Sequence, residues 1–255
     1  MKKINIFAGP WVGEFGWELF EWQGFLRFLA MQEKHDKFTV CCRTGHDYLY
    51  QDIATDIVNY DPPSGETNMW MNNDWRYVWP EGYDLVWKPD DCRDKKQAFV
   101  KFGRSLGIDN FPQITIHARS TDKVQTGYRN WSKEKWEKFV DLYPNASIIS
   151  IGSVKDALHI KGTEDMRGVS LEKLANTLYS TKVLVGPSSG PMHFGSLCGT
   201  PHVTWSPKNT TAIMSNKKRY EETWNPHKTP VTFLELGWDP SVDEVALATK
   251  EYYEN

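Results

Sequence analysis

Three short stretches carry side chains that could act on a charged small molecule. The first is Ser188-Ser-Gly-Pro-Met-His193, which lies between the apolar run Val183–Val185 and a helix expected over 191–198. At a helix N-terminus the amides without intrahelical partners and the helix dipole both favour an anion, so Ser188, Ser189 and Gly190 form the rim of a phosphate cradle. Pro191 loses no hydrogen bond at the first helical position. Met192 and His193 complete the stretch, and His193 reads either as lining the anion site or as packing within its own helix. The second stretch is His117-Ala-Arg-Ser-Thr-Asp-Lys123, directly after a strand expected at 113–117. Arg119 brings a planar fork and Lys123 a point charge, both suited to a diphosphate; His117 reads as a strand-end structural residue or as a catalytic one. The third is Gly13-Glu-Phe-Gly16, which places Glu14 in a loop at the end of the first strand. Glu14 is a candidate proton acceptor there, or simply a charge suited to the helix that follows, which is also the reading of Glu18 and Glu21. Gly152 and Ser153, at the end of a later strand, and Gly168 are candidate nucleoside-binding positions.

Positioning these loops requires strands that alternate with helices. Apolar runs at 3–8, 37–42, 84–87, 113–117, 147–151, 183–185 and 202–205 predict strands. Leu19, Trp22, Leu26 and Leu29, with Phe15, recur at helical spacing, and a second helix is expected over 94–106. Ser132, Ser170 and Ser241 each stand where an N-cap belongs, before helices carrying Trp136, Phe139 and Leu142, then Leu171, Leu174, Ala175 and Leu178, then the C-terminal segment. The segment 61–82 has no clear period, and its tryptophans read equally as a satellite core or a binding surface. Gly107–Pro112 reads as a linker, so the expected architecture is α/β with two Rossmann-like lobes, 1–110 and 111–255, the first of them reduced.

Composition narrows the function classes. At 255 residues and a net charge of −3, no overall basic field points to nucleic acid, and Lys208, Lys217, Lys218 and Arg219 read first as a solvated face and second as a donor or acceptor surface. Most of the 12 tryptophans are expected in the core. The four cysteines lack metal-ligand spacing, and Asp90–Asp94 is expected to open a helix, so neither metal nor cofactor is assigned. Reduced thiols and the absence of any segment of membrane-spanning length point to a cytoplasmic protein without integral membrane association.

The stretch from Gly168 to Pro201, with its Ser-Gly-Pro-Met-His core and Gly199-Thr-Pro201, resembles the C-terminal lobe of the ADP-heptose:lipopolysaccharide heptosyltransferase family. That family has Asp where Ser188 stands, and a Gly-Asp in its first loop where this chain has Gly13-Glu14. Separately, His117-Ala-Arg-Ser-Thr-Asp-Lys123 resembles the His-x-Arg-Arg-Thr-Asp-Lys motif of GDP-fucose-dependent fucosyltransferases, with Arg119 at the diphosphate-holding arginine and Ser120 in place of the second. Together the resemblances imply a GT-B-like fold and an inverting, metal-independent glycosyltransferase, with a nucleotide diphosphate sugar as co-substrate. They imply Glu14 as general base, so that Glu14→Gln abolishes transfer and spares nucleotide binding. The acceptor is a glycan or lipopolysaccharide-type hydroxyl, or a hydroxymethylated base in phage DNA. A non-catalytic nucleotide- or sugar-binding module that kept the fold is the alternative.

Overall fold

A computed structural model describes residues 4–32, 34–63, 76–105, 111–121, 127–208 and 216–254. The chain divides into two compact units, Met1–Val100 and Lys101–Asn255.

The first unit is a four-stranded, fully parallel sheet in the order β3-β2-β1-β4, built from β1 (Ile4–Ala8), β2 (His35–Cys42), β3 (Asp56–Asn59) and β4 (Leu85–Trp87). The central strands read as near-continuous apolar runs because both their faces are covered. The connection after β1 is helical from Phe15 to Gln32 but not uniform. A short α1 (Phe15–Trp17) passes through a π-helical turn at Glu18–Trp22 into α2 (Gln23–Gln32). Leu19, Trp22, Leu26 and Leu29 are buried as their spacing predicts, whereas Phe15 is half-exposed. The turn also buries Glu18 and Phe20, and three successive positions on a regular helix span more than half a turn. On the other side of the sheet Phe7 packs against Tyr77, Trp79 and Tyr83 at ring separations of 6.0, 6.4 and 5.3 Å. The described aromatics of the aperiodic segment are therefore a satellite core; Trp70 and Trp75 lie outside the described residues.

Two expectations fail in this unit. No helix forms over 94–105: a single 3-10 turn at Pro89–Cys92 is followed by irregular chain, in which Asp94 has φ 56° and Gly103 φ 82°. Gly103 already belongs to the second unit, and only glycine fits there, since a Cβ would come within 2.4 Å of the Ala175 carbonyl. Strand β3 was not expected, because Asp-Ile-Val-Asn is a polar edge strand with little apolar surface to announce it.

The second unit is a six-stranded parallel sheet in the order β10-β9-β8-β5-β6-β7. Its strands are β5 (Ile114–Ile116), β6 (Ile148–Ser150), β7 (Glu164–Asp165), β8 (Val183–Pro187), β9 (His202–Trp205) and β10 (Val231–Leu234). The outermost strands, β7 and β10, were not read from sequence. Alternation along β8 sorts its faces. Val183 and Val185 join Trp131, Trp136, Phe139 and Trp205 beneath α3 (Lys133–Asp141) and α7 (Val242–Tyr253). Leu184 points the other way, toward α5 (Gly190–Cys198), which packs beside α4 (Leu171–Ser180). Gly195 allows that approach, because a Cβ there would come within 2.6 Å of Leu184 Cδ2.

All three serine caps form. Ser132, Ser170 and Ser241 each accept a hydrogen bond from the amide three residues on, and the Glu244 carboxylate accepts one from the Ser241 amide. Leu142, expected inside, is 52% exposed because it falls at the C-cap of α3. The stretch after β9 is not simply polar loop, since a short α6 (Asn216–Lys218) runs into a π turn at Arg219–Thr223. Among the described residues, no helix is long and apolar enough to cross a membrane.

Candidate functional site

In the second unit, β8, β5 and β6 are neighbours, so the loops leaving their C-terminal ends converge. The loop after β8 is held from three sides. The Ser188 amide donates to the Trp205 carbonyl at 3.1 Å. Ser189, in extended conformation, is the N-cap residue of α5, yet its hydroxyl does not cap the helix. That hydroxyl lies 2.9 Å from His117 Nδ1, and the Ser189 amide donates to the Tyr220 hydroxyl at 3.2 Å. Ser189 therefore spends both groups on holding the turn, and the expected anion-binding amides begin at Gly190. Pro191 brings no N–H, and His193 N–H already bonds the Ser189 carbonyl at 3.1 Å.

Two members of the stretch face inward rather than toward the rim. Met192 is fully buried, with its sulfur over Gly186, where a Cβ would approach it to 2.8 Å. His193 is stacked on Tyr220 at 4.2 Å and stands edge-on to Trp224 at 4.8 Å. Arg219, grouped in the sequence with a solvated basic face, lies instead over the Trp224 ring at 4.8 Å.

The loop after β5 brings Arg119 to the same edge, half-buried. Its Nη1 donates to Asn130 Oδ1 at 2.8 Å, and Asn130 is tied to the loop in turn by a bond from its amide nitrogen to the Thr121 carbonyl at 3.0 Å. Arg119 also bridges to Ala157 in the loop after β6. Lys123 lies outside the described residues. Gly152 closes the group at φ 122°, where a Cβ would come within 3.0 Å of the His117 ring. Gly168 N–H donates to the Gly152 carbonyl at 2.8 Å, and Ser153, exposed, accepts from the Asp156 amide at 2.9 Å. Ser189, His117, Gly152 and Arg119 thus form one contact-linked cluster, with Gly168 and Ser153 behind it.

The electrostatics of the cluster are asymmetric. Burial, reinforced by the neighbouring Arg119 charge, lowers His117 to about 3, so the ring is neutral. Burial also lowers His193 well below the usual imidazole range, with Arg219 adding to the effect, and lowers His202 to about 4 against a hydrogen bond to the Thr200 carbonyl. The cationic character of the edge therefore comes from Arg119 and the α5 terminus, not from histidine. These three histidines predict an acid-sensitive fold. Their folded-state values lie below the unfolded one, so their stabilising contribution is complete above about pH 6.5. It is lost as pH falls from there, toward 3–4 for His117 and His202, at up to about 1.4 kcal/mol per pH unit for each ring. The melting temperature should drop between pH 7 and pH 5, and a flat profile would contradict the assignment.

In the first unit Glu14 is half-exposed at the end of β1, as the N-cap residue of α1, and its carbonyl accepts from the Glu18 amide at 3.1 Å. Arg43, from the loop after β2, reaches the Gly13 carbonyl at 3.4 Å. Glu18 is not the solvated helix-start charge that its sequence context suggests. It is fully buried, accepting from Tyr50 Oη and His46 Nδ1 at 2.7 Å each. Neither His46 nor Asn130 was singled out in the sequence, because His46 lies 28 residues from its partner Glu18 and Asn130 belongs to no motif. Glu21 does stay near the surface and accepts from Gln97 at 3.4 Å.

No protein-family model matches this sequence, and no curated protein does. Solved structures do match. E. coli ADP-heptose lps heptosyltransferase II aligns over 99% of this chain and 99% of its own, at 13% identity and a TM-score of 0.60. E. coli heptosyltransferase WaaC with ADP aligns over 98% and 100%, at 12% identity and a TM-score of 0.58. The iron-containing dodecameric glycosyltransferase TibC from enterotoxigenic E. coli aligns over 81% of this chain at 13% identity and a TM-score of 0.55, and this chain spans 59% of TibC's length. At such identities the likeness is one of fold: two α/β units with parallel sheets, in a GT-B-like architecture.

Proposed function

We propose that the chain is an inverting, metal-independent glycosyltransferase that moves a sugar from a nucleotide diphosphate sugar to an acceptor hydroxyl. The observation that carries this reading is the cluster at the β5–β6–β8 edge, where Arg119, held by Asn130, stands in one contact network with the N-terminal turn of α5. A leaving diphosphate needs positive charge and fixed dipoles, and this edge supplies both. Direct displacement by the acceptor inverts the anomeric carbon. In this reading Glu14, in the strand-end loop of the first unit, is the general base that takes the acceptor proton.

Several observations support the narrower choices. The neighbours' names specify ADP and ADP-heptose, which makes an ADP-sugar the first donor to try. A glycan acceptor is preferred to modified DNA, because Lys217 lies within 4.0 Å of Glu221 and Glu235 and Arg219 is laid on Trp224. Four buried free thiols fit a reducing, cytoplasmic setting. The test is release of nucleoside diphosphate from a panel of ADP-, GDP- and UDP-sugars. Turnover of one donor is expected; thermal stabilisation by a nucleotide with no turnover of any donor would favour the non-catalytic module instead.

A further inference from the structure

The second unit carries an arginine that the phosphate cluster does not use. Arg129 closes the short 3-10 turn Gly127–Arg129 in the loop after β5. Its guanidinium lies 4.8 Å from the centre of the Trp238 ring and 5.7 Å from that of Tyr128, and the two rings stand edge to face at 6.1 Å. Among the described residues no hydrogen bond or ion pair reaches it, and its Nε is buried without a partner. Stacking on aromatic rings suits the flat faces of a guanidinium, but its in-plane N–H groups still lack acceptors. That planar edge is the part of arginine that matches a carboxylate or a phosphate.

The patch is both held in place and open. Trp131 Nε1 donates to the Pro240 carbonyl at 2.9 Å, and Lys135 Nζ donates to Asp239 Oδ1 at 2.6 Å and to the same carbonyl at 2.9 Å. These bonds join the loop after β5, which carries Tyr128 and Arg129, to the loop after β10, which carries Trp238. Even so, Tyr128 is 60% exposed and Leu236 47%, while Arg129 and Trp238 are half-buried. Exposed apolar side chains grouped around a cation without an anion mark a binding surface.

The chemistry of the patch selects its occupant. One guanidinium matches one anionic group, whereas nucleic acid and membrane surfaces are held by several cations at once. The lysines that follow in α3 are engaged, Lys135 with Asp239 at 2.6 Å and Lys133 with Glu137 at 3.6 Å. The C–H face of a pyranose ring is apolar and lies flat on an aromatic ring, with its hydroxyls left in water, so the open face of Tyr128 suits a sugar. A nucleobase also stacks on such rings. The candidate nucleoside positions Gly152 and Gly168, however, belong to the loops after β6 and β7, whereas Trp238 follows β10, and the sheet order puts these at opposite sides of β5. Arg119 turns toward the β6 side through its bridge to Ala157.

We propose that Tyr128, Arg129 and Trp238 form a second ligand site on this unit, for an acidic saccharide whose ring lies on the aromatic faces and whose carboxylate or phosphate meets the Arg129 fork. The choice of a saccharide rests on the glycosyl-transfer reading, whereas the site itself binds without turnover. It lets the second unit hold a charged glycan by a residue outside the diphosphate cluster. Because the two loops are tied together before any ligand arrives, little ordering is left for binding to complete.

The experiment titrates the full chain, at physiological ionic strength, with trigalacturonate and its methyl ester, with glucose 6-phosphate and glucose, and with acetate, inorganic phosphate and ADP, GDP and UDP. The readout is the indole N–H resonance of Trp238, assigned by its absence from Trp238→Phe. Trigalacturonate or glucose 6-phosphate should shift it, and which of them does so separates carboxylate from phosphate; the neutral counterparts should bind at least about tenfold more weakly. Arg129→Gln should weaken the acidic ligand about 10- to 100-fold, with melting temperature and nucleoside diphosphate affinity held, and Arg129→Lys should recover only part of the loss. Tyr128→Ala, at an exposed position, should weaken it too. No shift with either acidic ligand overturns the proposal. So does an equal affinity for acetate or inorganic phosphate, which makes the patch a bare anion site, or a shift produced by the nucleoside diphosphates, which assigns it to the donor. Turnover of no donor by the wild-type, with the acidic saccharide still bound through Arg129, overturns the glycosyl-transfer reading and leaves the site standing, so the two failures are distinct.

Discussion

Replacing Arg119 by alanine should weaken nucleoside diphosphate binding by about 10- to 100-fold, with little change in melting temperature. A hydrogen bond to a charged group contributes about 1.5–3 kcal/mol, and about 1.4 kcal/mol is tenfold in affinity. Arg119 is half-exposed and packs no core, so the loss should appear in binding rather than in folding. Lysine should recover only part of it, because a point charge cannot reproduce a planar fork. Asn130→Ala should fall between the two, since Asn130 Oδ1 receives Arg119 Nη1 at 2.8 Å and also fixes the loop through Thr121. A second readout comes from His117, which Arg119 helps to keep neutral: in Arg119→Ala its ring should titrate at higher pH than in the wild-type. Calorimetric titration with ADP, GDP and UDP, together with imidazole NMR, measures both. Wild-type affinity in Arg119→Ala would place the diphosphate elsewhere.

How far such a site can be read from sequence depends on how local its interactions are. The strand, turn and helix around Ser188–His193 were legible because they are contiguous: β8, the turn and α5 occupy Val183–Cys198 without interruption, and Gly199, with φ 75°, stops the helix where expected. The three serine caps were legible for the same reason, each bond spanning three residues. Glu18 was misread because its environment is assembled from residues 28 and 32 positions away, and because a π turn changes which side of the helix it faces. Met192 and His193 belong to the motif by sequence and to the packing by structure. A motif marks which residues travel together, whereas burial by Gly186, Tyr220 and Trp224 decides which of them can meet a ligand. The missing helix over 94–105 has a similar cause, since contacts made by individual side chains override its helical propensity. Gln97 turns toward Glu21, and the Phe102 amide donates to the Leu197 carbonyl at 3.0 Å.

The largest stability effect is expected at Trp131. Its ring is 1% exposed and meets Trp136 at 4.9 Å and Trp205 at 5.3 Å, and its Nε1–H donates to the Pro240 carbonyl at 2.9 Å. Trp131→Ala removes a large aromatic from the face beneath α3 and α7 and leaves the Pro240 carbonyl to Lys135 Nζ, which also donates to it at 2.9 Å, at a cost of about 3–5 kcal/mol. For a unit of this size the melting temperature should fall by about 6–20 °C. Trp131→Phe keeps most of the packing and loses the hydrogen bond, so its cost should be well below half as large. The same substitution should reach the ligand, because Trp131 directly follows Asn130, and Asn130 is what holds Arg119. Trp131→Ala should therefore bind nucleoside diphosphate more weakly even at 10 °C, well below its own melting point, whereas Trp205→Phe, in the same cluster but away from that loop, should lose stability alone. Equal affinity in Trp131→Ala and wild-type would show that the loop holds Arg119 without its aromatic anchor, and would confine the tryptophan cluster to the core.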